Sequence, residues 1–255
     1  MAYCYCLKYS DSVKYSVKPP KLKMRADMLR YHYLIMIVLA LFGAGCGNDQ
    51  NTSATKKTED LKDTTSTPAA PTDLKNILFF GTSLTAGLGV DPEQAYPALI
   101  QDKIDSLNLP YKVINAGLSG ETSAAGKNRI DWLLKQPVDI FVLELGANDG
   151  LRGVAVPETK ANLQDLIDRV KKKYPRAKLV ITGMQMPPSM GQQYTTDFKN
   201  LFPAIAKENK MSYVPFLLEG VGGVPSLIQD DGLHPNAKGH IILAENVWKI
   251  LQSLL

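Results

Sequence analysis

Beyond position 46 the 255-residue chain has no cysteine; Cys4, Cys6 and Cys46 are its only three. That excludes disulfides and cysteine-based metal sites from everything that follows. Net charge is missing from the same region. Residues 1–72 carry ten of the 29 Lys+Arg and six of the 25 Asp+Glu, which leaves 19 of each for residues 73–255. A balanced segment lacks the concentrated basic face that nucleic acid requires, so no nucleic-acid partner is expected. Long apolar runs are lacking too: residues 34–42, Leu-Ile-Met-Ile-Val-Leu-Ala-Leu-Phe, are too short to span a bilayer comfortably. The phosphate-binding fingerprints Gly-x-Gly-x-x-Gly and Gly-Lys-Ser/Thr are absent. Histidine is scarce, with only His234 and His240 after residue 72, and no third ligand accompanies His234 and its neighbouring Asp231. No metal is expected.

What is present begins with a leader. Arg30 precedes the short apolar run and Gly43-Ala44-Gly45-Cys46 follows it, the order of a secretory signal. Cysteine directly after small residues resembles a bacterial lipoprotein signal, which implies Cys46 as the lipidated first residue of the mature chain. Gly43 stands where such signals usually place leucine. Met28 gives the signal more ordinary proportions than Met1. Residues 47–72 are mostly Thr, Ser, Asn, Lys, Asp, Pro and Ala with Leu61 as the sole larger aliphatic, a composition that cannot bury a core and reads as a flexible linker. Its typical reach is about 30 Å. The expected organisation is a leader over 1–45, a linker over 46–72 and one folded domain over 73–255.

Within 73–255, apolar runs alternate with helical stripes, the pattern of a parallel sheet covered by helices on both faces. Strands are expected at Ile77–Phe80, Lys112–Asn115, Ile140–Leu145, Lys178–Gly183 and Ser212–Phe216. Helices are expected over about Ala95–Leu107, Thr122–Gln136, Pro157–Tyr174 and Thr196–Asn209, and from Pro235 to the C-terminus.

The chemistry gathers where these strands end. After Ile77–Phe80 comes Gly81-Thr82-Ser83-Leu84, a hydroxyl-rich turn at the place where open α/β sheets bind ligands. Such a turn exposes a serine Oγ and aims a backbone N–H at a substrate. A plain capped turn, or a cradle for a flavin phosphate, would use the same residue types. Asn115-Ala-Gly117-Leu-Ser-Gly120 and Gly146-Ala-Asn148-Asp149-Gly end the next two strands, and Asp230-Asp231-Gly-Leu-His234-Pro235 precedes the last helix. In a parallel sheet these segments share one rim with Ser83. Asp231, three residues before His234, is spaced to hold the imidazole Nδ1–H and leave Nε2 free to take the Ser83 proton.

Gly81-x-Ser83-Leu84, Gly117, Gly146-x-Asn148-Asp149 and Asp231-x-x-His234, in that order, resemble the four blocks of the SGNH (GDSL) hydrolases. Gly146-Ala-Asn148-Asp149-Gly-Leu-Arg-Gly153 and Asp230-Asp231-Gly-Leu-His234-Pro-Asn236 are most similar to the bacterial arylesterase, thioesterase and lysophospholipase branch. The resemblance implies a flavodoxin-like three-layer α/β/α sandwich with five parallel strands in the order 2-1-3-4-5. It implies Ser83 as nucleophile, His234 as base and Asp231 as its orienter. The implied oxyanion donors are the Ser83 and Gly117 N–H groups and the Asn148 amide. Thr82 replaces the usual aspartate of the signature, from which altered turn hydrogen bonding is expected rather than lost chemistry.

The expected activity is that of an exported serine esterase using no cofactor and no metal. Its substrates would be short-to-medium acyl esters or thioesters, extending to lysophospholipids. Cys46 would tie it to a membrane facing the periplasm or cell exterior. A carbohydrate or cell-wall O-acetylesterase and a non-catalytic acyl-binding lipoprotein are the alternatives. The methionine-rich loop Met184–Met190 would suit varied acyl chains.

Overall fold

The structure is a computed structural model and describes residues 74–255. The leader, Cys46 and the linker lie outside the described residues. Five parallel strands form one sheet in the order β2-β1-β3-β4-β5, as the resemblance implies. They are β1 (Lys75–Gly81), β2 (Tyr111–Gly117), β3 (Ile140–Glu144), β4 (Lys178–Thr182) and β5 (Ser212–Val214). Between and after them run α1 (Ser83–Ala86), α2 (Tyr96–Ser106), α3 (Ser123–Leu133), α4 (Ala147–Leu151), α5 (Val156–Lys173), α6 (Gln192–Asn209) and α7 (Ala237–Leu251).

The two central strands are the most apolar because both of their faces are covered. Ile77 to Phe80 are fully buried, and every residue of β3 is buried. α2 packs with α7, and α5 packs with both α3 and α6, giving the α/β/α sandwich. α5 shows why these segments become helices: Leu163, Leu166, Ile167 and Val170 make one buried stripe, Pro157 sits in the first turn and Lys171–Lys173 meet the negative end of the dipole.

Register places the rim. Gly81 pairs with Gly117 on one side and with Glu144 on the other, so β1, β2 and β3 end level. The turns that follow therefore open onto one edge. β5 stops at Val214 rather than Phe216, because Pro215 has no N–H for a further ladder bond. The last helix begins at Ala237 rather than Pro235. Pro235 instead pairs with Ile228 in an isolated antiparallel bridge, and Asn236 Oδ1 caps the helix by accepting from the Lys238 and Gly239 N–H groups.

Candidate active site

Ser83 is the first residue of α1, directly after the N-cap Thr82. Its N–H is one of the orphan donors of a helix start and has no partner among the described residues. Ser83 Oγ lies 2.8 Å from His234 Nε2. On the other side of the ring, His234 Nδ1 lies 2.5 Å from Asp231 Oδ2. The second oxygen of Asp231 accepts the Leu233 and His234 backbone N–H groups at 2.9 and 3.0 Å. The His234 backbone N–H, then its ring, then the Leu233 N–H hold the Asp231 carboxyl down to about 2. The aspartate therefore stays ionised across the working range and fixes the hydrogen on Nδ1, leaving the Nε2 lone pair to face the serine.

The loop bearing His234 is clamped from both sides. The Gln229 N–H donates to His234 O at 2.8 Å, the Asn236 N–H donates to Leu227 O at 2.9 Å, and Gln229 Nε2 donates to Pro235 O at 2.8 Å. Asp230 has none of the bonds to His234 that Asp231 makes. His240 is buried in α7, makes none of the triad's hydrogen bonds, and accepts the Tyr96 N–H at Nδ1.

Asn148 sits at the start of α4, where its Nδ2 donates to Glu121 O at 3.0 Å, leaving the second amide hydrogen to face the cleft it lines. Its neighbour Asp149 is buried and ties α4 to α3 through the Ser123 N–H and Oγ at 2.8 and 2.5 Å. Those two bonds fix α4 and with it Asn148.

Gly117 requires a correction. Its N–H donates to Asn115 Oδ1 at 2.9 Å and is already spent. Glycine is needed there for another reason: a Cβ would stand 2.1 Å from Ala86 N, where α1 crosses the end of β2. Three residues on, Gly120 has φ +78° and an N–H without a partner among the described residues. Arg152 holds its carbonyl at 3.1 Å, and the buried Glu121 beside it is paired with Arg129. The Ser119-Gly120 dipeptide was the signal available in the sequence; the first glycine of the segment drew the assignment instead.

A cleft of about 210 Å³ meets Ser83, Asn148 and His234. Its walls are apolar, formed by Leu84, Leu151, Met184, Met186, Leu218 and Leu233. Met184 and Met186 come from the loop expected to do so, whereas Leu218 was not foreseen. Among the described residues, no cluster of three His, Cys, Asp or Glu stands close enough to hold a metal, and no helix is long and apolar enough to cross a membrane.

Residues 79–242 match the model of the GDSL-like lipase/acylhydrolase family. Esterase TesA of Pseudomonas aeruginosa is 40% identical over 182 residues, which is 71% of this chain and 90% of that protein. Thioesterase 1/protease 1/lysophospholipase L1 of Escherichia coli K12 is 37% identical over 180 residues, 70% of this chain and 84% of that protein. The crystal structure of the psychrotrophic esterase EstA from Pseudoalteromonas sp., inhibited by monoethylphosphonate, superposes with a TM-score of 0.67 at 32% identity and covers 70% of this chain and 97% of that one.

Proposed function

The chain belongs to the GDSL-like lipase/acylhydrolase family, and we propose, from the site geometry and from the leader, that it is an exported serine esterase working through an acyl-enzyme on Ser83. As a member it is a carboxylic ester hydrolase, similar to proteins named esterase and thioesterase/lysophospholipase. The observation that carries the mechanism is the continuous chain from Ser83 Oγ through His234 to Asp231.

Ser83 attacks the ester or thioester carbonyl as its proton passes to His234 Nε2. The oxyanion is met by the N–H groups of Ser83 and Gly120 and by Asn148 Nδ2. The imidazolium, stabilised by Asp231, returns the proton to the departing alcohol or thiol. Water, deprotonated by His234, then attacks the acyl-serine; the bond to Ser83 Oγ breaks as His234 returns that proton to it, and the acid is released. The apolar cleft receives the acyl chain; its volume of about 210 Å³ lies below that of a drug-sized ligand pocket and favours short-to-medium chains.

A panel of p-nitrophenyl esters tests the substrate class. Activity is expected to persist from acetyl into medium-length acyl chains. Collapse beyond acetyl, with preference for acetylated glycans, would move the assignment to an O-acetylesterase.

The leader is the basis for export. Its basic start, short apolar run and Gly43-Ala44-Gly45-Cys46 support cleavage before Cys46 and lipidation of that residue, with 46–72 tethering the hydrolase domain of 73–255. Two or more acyl chains on Cys46 would hold the protein stably at a membrane, where one chain gives only marginal binding. Mass spectrometry of the N-terminus of the full gene product made in a bacterium is expected to show lipidated Cys46, and Cys46→Ser is expected to lose the modification. An unmodified N-terminus in a membrane-free fraction would remove the anchor from the proposal.

A further inference from the structure

A carboxyl group lies buried directly beneath the nucleophile's turn, unused by the mechanism above. Glu144, the last residue of β3, is completely buried, as is Thr85 of α1, and Thr82 is nearly so. Its Oε2 accepts the Thr82 backbone N–H at 2.8 Å. The Thr82 hydroxyl donates to the same carboxyl, 3.0 Å from each oxygen, and the Thr85 hydroxyl donates to Oε2 at 2.8 Å. Thr85 Oγ1 in turn lies 2.8 Å from the buried Tyr96 hydroxyl, which completes the chain by donating to it. Three donors from the two residues that bracket Ser83 and Leu84 thus converge on one side chain of a neighbouring strand.

We propose that Glu144 is a positioning residue for the nucleophile, gathering the Thr82 N–H and the Thr82 and Thr85 hydroxyls so that α1 starts at one fixed place and presents Ser83 Oγ to His234 and the Ser83 N–H to the oxyanion. The inference rests on the assignment of Ser83 as nucleophile. It accounts for Thr82, where the family signature usually has aspartate: a hydroxyl at this position is a donor to Glu144, whereas a second carboxylate about 3 Å away would force the pair to share a proton.

The arrangement requires an acceptor-only group. Ionised, Glu144 takes all three hydrogens. Protonated, it must itself donate to one threonine oxygen, and one hydroxyl has to turn away. Burial, opposed by the hydrogen bonds from Thr82 and Thr85, pushes the carboxyl from 4.5 up to about 7. Tyr96, the titratable group facing it through Thr85, is raised by burial and by Glu144 itself, and so remains a neutral donor. Beyond Tyr96, burial and His234 push His240 down to about 4, so that ring stays neutral and keeps accepting the Tyr96 N–H.

Glu144→Gln tests the proposal, because the amide keeps the shape while losing the acceptor-only character. Displacing a reacting group by about 1 Å costs on the order of 10²-fold. The variant is therefore expected to lose about 10–100-fold in kcat, with KM changed less than about threefold, and to react with a fluorophosphonate more slowly by the same factor. Stability supplies an independent readout with a definite sign. Because the carboxyl holds its proton more tightly when folded, the wild-type fold is favoured below pH 4.5 and loses that advantage as pH rises through about 7; the variant should lack this component of the melting curve. A folded Glu144→Gln protein with kcat within twofold of wild type would overturn the positioning role, as would a change confined to melting temperature. Should the variant not fold, Thr82→Val removes one of the converging donors, and an unchanged kcat there would overturn it equally. Wild-type protein in which Ser83 resists the fluorophosphonate would instead mark failure of the nucleophile assignment, whatever position 144 does.

Discussion

Replacing Ser83 with alanine is expected to lower kcat on an aryl ester by roughly 10⁵–10⁶-fold while leaving the fold intact. The size of the effect follows from the role: without Oγ no acyl-enzyme forms, and what remains is orientation and oxyanion stabilisation acting on water. The fold survives because, among the described residues, the Ser83 hydroxyl bonds to a single group, the partly exposed His234 ring, which water can solvate once Oγ is gone. The turn is held by Thr82, Thr85 and Glu144, none of which is changed. Circular dichroism and a kcat measurement on the same preparation check both halves of the expectation.

The second large effect separates two pairs of like residues. His234→Ala is expected to be nearly as inactive as Ser83→Ala, because the proton then has nowhere to go. Asp231→Ala should lose about 10³–10⁴-fold in kcat, since the imidazole loses the partner that fixes its tautomer and steadies its charge. Asp230→Ala, one residue away, should remain close to wild type: it makes none of the three bonds to the His234 segment that Asp231 makes. His240→Ala should keep its activity at a permissive temperature and lose stability instead. It leaves the buried Tyr96 N–H without its acceptor, a cost of about 1–3 kcal/mol. Kinetics and thermal melts of the four variants, run side by side, decide the matter. Equal losses at Asp230 and Asp231 would contradict the assignment of the orienting carboxylate.

The sheet was legible because its signal is composition over several residues. Ile77–Phe80 and Ile140–Leu143 are apolar throughout, as strands buried on both faces of a parallel sheet are. The long helices were legible from their stripes, though their ends moved by a few residues where capping decided. The two short helices that carry the chemistry, α1 and α4, were not. Ala-Asn-Asp-Gly-Leu has little helical propensity, and α4 forms because Asp149 is bonded to the start of α3 rather than because of its own residues. Ser83, Asp231, His234 and Asn148 stood out because polar residues clustered after strand ends. Glu144 did not, because a single acid at the end of an apolar run looks like the strand's exposed tip. Its meaning depends on Thr82 and Thr85, some sixty residues earlier, lying above it. Gly117 was misassigned for a related reason: spacing marks where a glycine is needed, and only the coordinates separate close packing against Ala86 from a free N–H.

Covalent labelling tests the central claim most directly. The full-length protein is incubated with a fluorophosphonate, digested, and its peptides are read by mass spectrometry. The phosphonyl adduct is expected on Ser83, with loss of esterase activity in proportion to labelling and no adduct on that peptide in Ser83→Ala. An active enzyme whose Ser83 peptide stays unmodified, or whose inactivation tracks an adduct on a different residue, would contradict it.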